Sequence, residues 1–239
     1  MNSNAAESVL ATAEPISGVD VAGVVGWTTT ADNGSFGLGS DEGVGDVMQR
    51  WAYLQNDLDS LGVSRLASAV QVHGNSVAVH SGDWRGWLRQ RGVDGHATNV
   101  RGTALAVTVA DCTPVFIAHP LAIALLHAGW RGTAAHILHR GFDALLRLGC
   151  VPGDCQLHLG PSICAGCYQV GAEVLEAVTG KPAGAGGYLD VRAILADQAY
   201  SLGVRAITTS AWCTRCSKGR FFSHRAGNSG RQLGILALL

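Results

Sequence analysis

The sequence predicts an α+β fold, a layered sandwich in one domain, in preference to a doubly wound parallel sheet. Three observations carry this. Strand-length apolar segments are frequent and closely spaced, helical segments are few, and the two kinds mix without strict β-α-β alternation. The 239 residues fit one ordinary domain or two small ones, and no internal repeat, low-complexity tract or charge block divides them. Gly- and Ser-rich stretches at 34–45 and 182–187 read as surface loops. The expected organisation is a loose N-terminal arm over 1–20 and a single domain over 21–239.

Taken in order, the first helix is expected over 46–61. Asp46 caps it, Val47, Trp51, Leu54, Leu58 and Leu61 repeat at helical spacing, and Gly62 stops it. Strands at 66–72 and 76–80 read as a hairpin with His73 and Gly74 at its tip. Strands at 103–110, 114–118 and 122–126 follow. A helix over 132–148 has an inner stripe of Ile137, Gly141, Leu145 and Leu148 and ends at Gly149. A strand at 156–159, a short helix at 172–179, an Asp190-capped helix over 191–202 and strands at 204–208 and 232–238 complete the reading.

Composition narrows the function. Seventeen Lys+Arg against 18 Asp+Glu leave a formal charge of -1, which argues against nucleic-acid and membrane-surface partners recognised by bulk charge. Hydrophobic residues make up 47%, the level of a packed globular chain. Glycine, 32 residues, is nearly double its usual share of about 7%, so tight turns and close backbone approaches are expected. No apolar run reaches the roughly 18 residues of a membrane span, and MNSNAAESVLATAEP lacks the basic start and apolar core of a signal peptide. Seven cysteines, an odd number, suit a reducing cytoplasm. The expected protein is cytoplasmic and monomeric and acts on a small molecule.

The stretch 103–133, TALAVTVADCTPVFIAHPLAIALLHAGWRGT, carries the chemistry. If its hairpin closes around 118–121, Cys112 falls opposite His127, and opposed residues hold their Cβ atoms about 4.5–5.5 Å apart. A thiolate and an imidazole at that separation can share one ion. Gly129 and Gly132 then turn the chain into a helix whose start, with Arg131, offers an anion site. His73, where an apolar strand runs into a glycine turn, is the third candidate ligand. Two nitrogens and one thiolate with an open fourth position form the pattern of a catalytic zinc. The plainer readings stand beside it: a lone buried Cys acts as a small hydrophobe, and His73 alone as a turn residue. His136 and His139 share a polar helix face with Asp143 and Arg147, while His80, His96, His119 and His158 show no partner.

Two Cys-x-x-Cys pairs, Cys164/Cys167 and Cys213/Cys216, are separated by more than twice the loop of about 15–20 residues found in zinc knuckles. Plain thiols near one another are the expectation. In FFSHRAGNSGR (221–231), His224, Arg225 and Arg231 surround a glycine turn, and the arginines can bind phosphate or flank a hairpin as surface charges. There is no GxxxxGK[ST], strand-borne GxGxxG or GxSxG. None of the nine histidines forms the HxH pairs of a trinuclear copper oxidase.

QVHG (71–74), ADCTPV (110–115), HAGWRG (127–132), LGPSICAGCYQVG (159–171) and CT…FFSHRAGNSGR (213–231) resemble the laccase-domain or YfiH-like proteins. These were long labelled polyphenol oxidases and later recognised as purine nucleoside enzymes. The resemblance runs from about residue 66 to the end. It implies an α-β-β-α sandwich of cysteine-hydrolase-like architecture. It implies a catalytic zinc, rather than copper, on His73, Cys112 and His127. It also implies phosphorolysis of adenosine, inosine, guanosine and methylthioadenosine, and deamination of adenosine. The chain departs from the family pattern at Ala31, where an arginine is usual, at Gln169, where a glutamate is usual, and at Ala226, where a second arginine is usual.

The expected function is therefore a zinc enzyme of purine nucleosides. In deamination a zinc-bound hydroxide attacks C6 of adenine, and Asp111 is the carboxylate nearest in sequence, though strand alternation can turn it away from Cys112. In phosphorolysis Arg131, Arg225 or the helix start holds phosphate, with Arg231 a further candidate. The alternatives are a metal-free Cys112–His127 hydrolase and a peptidoglycan-editing accessory protein that keeps the site as a structural ion.

Overall fold

The computed structural model describes residues 8–239. Its strands, in chain order, are β1 (Glu14–Pro15), β2 (Val24–Thr28), β3 (Arg65–Val70), β4 (Val77–His80), β5 (Gly86–Arg91), β6 (Gly95–Thr98) and β7 (Thr103–Val109). They continue as β8 (Thr113–His119), β9 (Ala122–Ala128), β10 (Gln156–Leu159), β11 (Gln169–Val170), β12 (Gly187–Tyr188), β13 (Ala206–Thr209) and β14 (Gln232–Leu238). The helices are α1 (Val44–Ser60), α2 (Trp130–Ala134), α3 (Ile137–Arg147), α4 (Ala172–Thr179) and α5 (Val191–Ser201).

Two mixed six-stranded sheets form the centre, in the orders β1-β2-β14-β7-β3-β5 and β13-β10-β8-β9-β6-β4. Strand alternation sends Ala104 and Ala106 of β7 one way and Leu105 and Val107 the other. The first pair joins Val47, Trp51, Leu54 and Leu58 of α1 in one apolar cluster. The second pair meets Phe116, Ile123 and Leu125 of the other sheet. That sheet's far face, with Val115, Ile117, Ala124 and Leu126, packs on Ile137, Leu138, Phe142 and Leu145 of α3 and on Leu195 and Ala199 of α5. With both faces covered, β8, β9 and β14 are buried at every residue, which is why they read as continuous apolar runs.

Several expectations are corrected. Residues 8–20 are not a loose arm. Val9 is buried against the α1 cluster, the Leu10 N–H donates to Asp57 at 2.9 Å, β1 pairs with β2, and Glu14 forms an ion pair with Arg220. Val9 and Ile16 bring apolar surface that the domain buries. The rest of the expected arm, 1–7, lies outside the described residues.

Segment 66–80 is not a hairpin, because β3 and β4 belong to different sheets and the connection between them crosses from one to the other. In the β8–β9 hairpin, Pro114 pairs with His127 and Thr113 with Ala128, so Cys112 lies beyond the ladder rather than opposite His127. The turn is the tight pair Pro120-Leu121, since a proline at its first central position has its φ already set.

The single helix expected over 132–148 is two. His136 adopts a left-handed conformation, φ +58°. The carbonyls of Thr133 and Ala135 accept from the side chains of Gln198 and Asn75, at 3.3 and 2.7 Å, instead of continuing the helix. Gly43, not Asp46, caps α1, whereas Asp190 caps α5 as expected, accepting from the Ala193 N–H at 3.0 Å.

Candidate metal centre

His73, Cys112 and His127 come together where the chain leaves the sheets. His73 lies in the β3–β4 connection and Cys112 in the β7–β8 connection, both of which cross between sheets, and His127 is the penultimate residue of β9. One donor atom from each lies within 4.8 Å of the others. The two imidazoles meet edge to face with centroids 4.8 Å apart. Four non-glycine residues among those described have positive φ, and two of them are here: His73 at +59° and Asp111 at +83°. Such conformations persist only where surrounding contacts enforce them, and they gather at functional sites.

What enforces His73 is Asp94, which no motif flags. Its carboxylate is fully buried and accepts from the N–H groups of Val72, His73 and Gly74 at 3.1, 2.9 and 2.8 Å. The same carboxylate lies 2.9 Å from Nδ1 of His127. Burial pushes the Asp94 pKa up, but the His127 bond and charge and the Gly74 and Val72 N–H groups hold it below the usual carboxylate range. Burial also raises the Cys112 thiol, yet the His127 charge and hydrogen bonds from His127 and His73 bring it down to about 6. His127 moves the opposite way, with burial opposed by Cys112 and Asp94, to about 9. Cys112 is thus a thiolate at neutral pH, the form that binds metals and attacks electrophiles.

Gly129, the residue before α2, makes room for this. A Cβ there would stand 2.9 Å from the Cys112 sulfur and 3.5 Å from Cδ2 of His73. At Gly132 a Cβ would stand 2.9 Å from the Gly74 carbonyl oxygen, so the helix can lie close against the His73 turn. The helix start expected to bind an anion belongs to α2, which has five residues and correspondingly little dipole.

The three residues line a cavity of about 680 Å³. Phe36, Trp51, Arg89, Trp130, Tyr168 and His224 also line it, as do Arg131, Arg225 and Arg231. The arginines differ. Arg131 stacks on Trp130 at 4.4 Å and Arg225 over Tyr168 at 5.0 Å. Arg231 turns its Nη1 onto the Ser229 and Gly230 carbonyls at 2.8 and 2.7 Å, closing its own loop.

Asp111 is likewise engaged, its oxygens accepting from the Thr214 hydroxyl at 2.6 Å and the Arg225 N–H at 2.7 Å. Other histidines have structural partners. His80 and His96 bond to each other at 3.0 Å, and His158 bonds to Thr208 at 2.9 Å. His136 and His139 lie outside the cavity lining. Sequence reasoning missed Asp94, Tyr168 and Arg89. A charged residue wedged before Gly95 in an otherwise small-residue stretch was the available sign of the first.

The profile of the family described as multi-copper polyphenol oxidoreductase laccase matches residues 27–239. A purine nucleoside phosphorylase, ORF3, of Streptomyces griseus is 36% identical over 177 residues, covering 70% of this chain and 72% of the relative. Adenosine deaminase RL5, from an unknown prokaryotic organism, is 35% identical over 198 residues, covering 73% of this chain and 74% of its own. Among solved structures, YlmD from Geobacillus stearothermophilus superposes with a TM-score of 0.81 at 28% identity, covering 91% of this chain and 92% of that one. The hypothetical protein YfiH of Bacillus licheniformis gives 0.82 at 24% identity, covering 90% and 93%. No helix among the described residues is long and apolar enough to cross a membrane.

Proposed function

The chain belongs to the multi-copper polyphenol oxidoreductase laccase family, and we propose that it is a zinc-dependent enzyme of purine nucleosides. The reactions proposed are phosphorolysis of adenosine, inosine, guanosine or methylthioadenosine and deamination of adenosine. The observation that carries this reading is the convergence of His73, Cys112 and His127 on a nucleoside-sized cavity, with one buried carboxylate holding the His127 imidazole and the backbone of the His73 turn. The names of its relatives supply the substrate class.

The residues fit zinc. Two imidazoles and a thiolate are borderline-soft donors of the kind zinc selects. Asp94 holds the Nδ1 proton of His127, so Nε2 is the nitrogen that would give up its proton to zinc, the carboxylate–histidine pairing typical of zinc sites. When bound, zinc supplies Lewis acidity and brings a water in its open position to a pKa of about 7.

The rest is done by side chains. A cavity of about 680 Å³ lies within the range of small-molecule sites, and Trp130 and Tyr168 offer faces on which a purine can stack. Burial, followed by the negative charge of Cys112, raises the pKa of Tyr168, so its hydroxyl stays protonated as a donor to a purine nitrogen. Arg131 and Arg225 supply guanidinium groups for phosphate at the rim, and bidentate pairing favours that role. The stacking of α1, two sheets and α3 with α5 supports reading the fold as an α-β-β-α sandwich.

A second reading has its own observation. Cys112, His127 and Asp94 also stand in the order nucleophile, base, orienter of a metal-free cysteine hydrolase. His73 separates the two, because that hydrolase has no need of it. The deciding experiment incubates the zinc-loaded chain with adenosine, with and without phosphate, beside His73→Ala. Inosine, or adenine with ribose 1-phosphate, lost together with one zinc in His73→Ala, is the expected result. No product from any purine nucleoside overturns the reading, and turnover that survives loss of that zinc transfers the site to the hydrolase.

A further inference from the structure

Outside the catalytic cavity, four cysteine sulfurs meet at one point. Cys164, Cys167, Cys213 and Cys216 each present a sulfur within 4.8 Å of the other three, and none is in a disulfide. We propose that these four thiolates form a second metal site, a closed tetrathiolate for zinc that staples together two loops adjoining the cavity.

The topology explains how distant pairs come together. Strands β10 and β13 run parallel, with Leu159 beside Thr209, and the pairing continues past their ends as a bridge between Ser162 and Cys213. Both Cys-x-x-Cys loops therefore leave the same end of the same two neighbouring strands, side by side. The long stretch of chain between them, which argued for plain thiols, makes α4 and α5 and returns. Loop length governs the entropy of closing such a site, and only as its logarithm, whereas the parallel strands have already closed it.

The geometry suits a tetrahedral ion. Sulfurs bound to zinc at about 2.3 Å stand about 3.8 Å from one another along a tetrahedron's edges. Cys164 and Cys216 are 3.8 Å apart and Cys167 and Cys216 are 3.1 Å apart, so small rotations about χ1 complete the figure. The buried sulfur of Cys213 accepts N–H groups from Cys164 at 3.3 Å and from Cys216 at 3.4 Å. Backbone donors aimed at a sulfur stabilise its thiolate and fix its direction, as outer-shell groups do around metal ligands. Four protein donors leave no open position, so the site is structural rather than catalytic.

Its position gives it a task. Tyr168, on the cavity wall, directly follows Cys167. Thr214 directly follows Cys213 and holds the carboxylate of Asp111, the left-handed residue before Cys112. Arg215 donates to the Cys167 carbonyl at 3.1 Å across the two loops. An ion at the four sulfurs therefore fixes the loops that place Tyr168 on the cavity wall and Thr214 against Asp111.

The test uses the full chain with His73→Ala and Cys112→Ala, which opens the other centre, stripped of metal under reducing conditions and titrated with cobalt(II). One cobalt per chain is expected, with the intense visible bands and sulfur-to-cobalt charge transfer of a tetrahedral tetrathiolate. One equivalent of zinc should displace it and protect four thiols from alkylation. Cys216→Ser, at the exposed corner, should keep the fold, weaken binding by at least about tenfold and shift the bands to a three-thiolate spectrum. A chain that takes up no cobalt, that shows a spectrum indifferent to Cys216→Ser, or that is isolated with a disulfide among these four cysteines overturns the proposal.

Discussion

His127 and Asp94 are joined twice. The imidazole Nδ1 lies 2.9 Å from the Asp94 carboxylate, and the His127 backbone N–H donates to the Asp94 carbonyl at 2.7 Å. Because the same carboxylate accepts three N–H groups of the 72–74 turn, Asp94 ties the His127 imidazole, at the end of β9, to the backbone that carries His73 in the β3–β4 connection. The proposed site is preorganised by a residue that would not touch the ion.

Asp94→Asn tests that role. The amide oxygen can still accept from Val72 and Gly74, but an amide NH2 in place of Oδ1 loses the His73 N–H and, facing His127, reverses the imidazole tautomer and places the proton on Nε2, where the ion would bind. Zinc affinity, measured by competition with a chelator, should fall by about 10- to 100-fold, with far-ultraviolet circular dichroism unchanged. Equal affinity in variant and parent would show that Asp94 serves folding alone.

Gly129→Ala probes the same centre by volume. The φ of Gly129 is −84°, which alanine adopts freely, so the backbone is not strained. The added methyl meets the Cys112 sulfur at 2.9 Å and must displace it. Thermal stability should drop by about 1 kcal/mol or less, the cost of alanine at this helix-starting position, while zinc occupancy and turnover fall by an order of magnitude or more. A variant with full occupancy would mean that the sulfur is free to move.

The candidate ligands were legible because they sit at the ends of apolar strands, two of them close to turn glycines, in Val72-His73-Gly74, Ala110-Asp111-Cys112 and His127-Ala128-Gly129. Their convergence was not legible by the route that sequence suggested. A hairpin register slipped by the tight Pro120-Leu121 turn would not have placed Cys112 correctly, and it is two sheet-to-sheet crossings that bring His73 and Cys112 to His127. Such crossings depend on which distant strands pair, and local pattern carries no record of that. Strands β5 and β6 were invisible for a related reason. The first is a half-exposed polar edge, and the buried polar residues of the second find their partners in β4, His96 with His80 and Thr98 with the His80 carbonyl. Asp94 reads as a loop aspartate until the N–H groups that its carboxylate accepts are seen.

Those buried histidines give a pH dependence with a definite sign. Burial, aided by the neighbouring His80 charge, lowers His96 from 6.5 to about 3. Burial and then Arg192 lower His158 to about 4, and burial lowers His80. Above 6.5 these groups are neutral in both states and their contribution is complete. As pH falls below 6.5, the unfolded chain binds protons that the folded chain refuses, and stability is lost, by at most about 1.4 kcal/mol per pH unit for each group. Asp94, whose pKa is lowered, gives up its contribution only at lower pH still. Melting temperature should therefore fall between pH 6.5 and about 5, and His96→Gln should flatten the slope. A melting temperature constant over that interval would remove these histidines as the cause.

The arginines separate phosphate chemistry from architecture. Arg131 and Arg225 line the cavity and stack on its aromatics, whereas Arg231 gives its Nη1 to the carbonyls of Ser229 and Gly230. The guanidinium carbons themselves lie over the rings, so replacing Arg131 or Arg225 by methionine keeps an apolar side chain of similar length and removes the charged fork. Phosphorolysis should then show a KM for phosphate raised by roughly tenfold or more, with little change in the nucleoside KM or in deamination, since only the anion loses a partner. Arg225 also donates to the Gln169 carbonyl at 2.8 Å, so its variant should carry a small stability loss as well. Arg231→Met should act through stability first, by roughly 1 kcal/mol for lost charge-assisted bonds at a half-exposed loop. Steady-state kinetics with phosphate varied, beside a melting curve for each variant, decides the matter. An unchanged phosphate KM in both Arg131→Met and Arg225→Met would place the anion elsewhere in the cavity, where Arg89 and Arg231 are the remaining guanidinium groups on the wall.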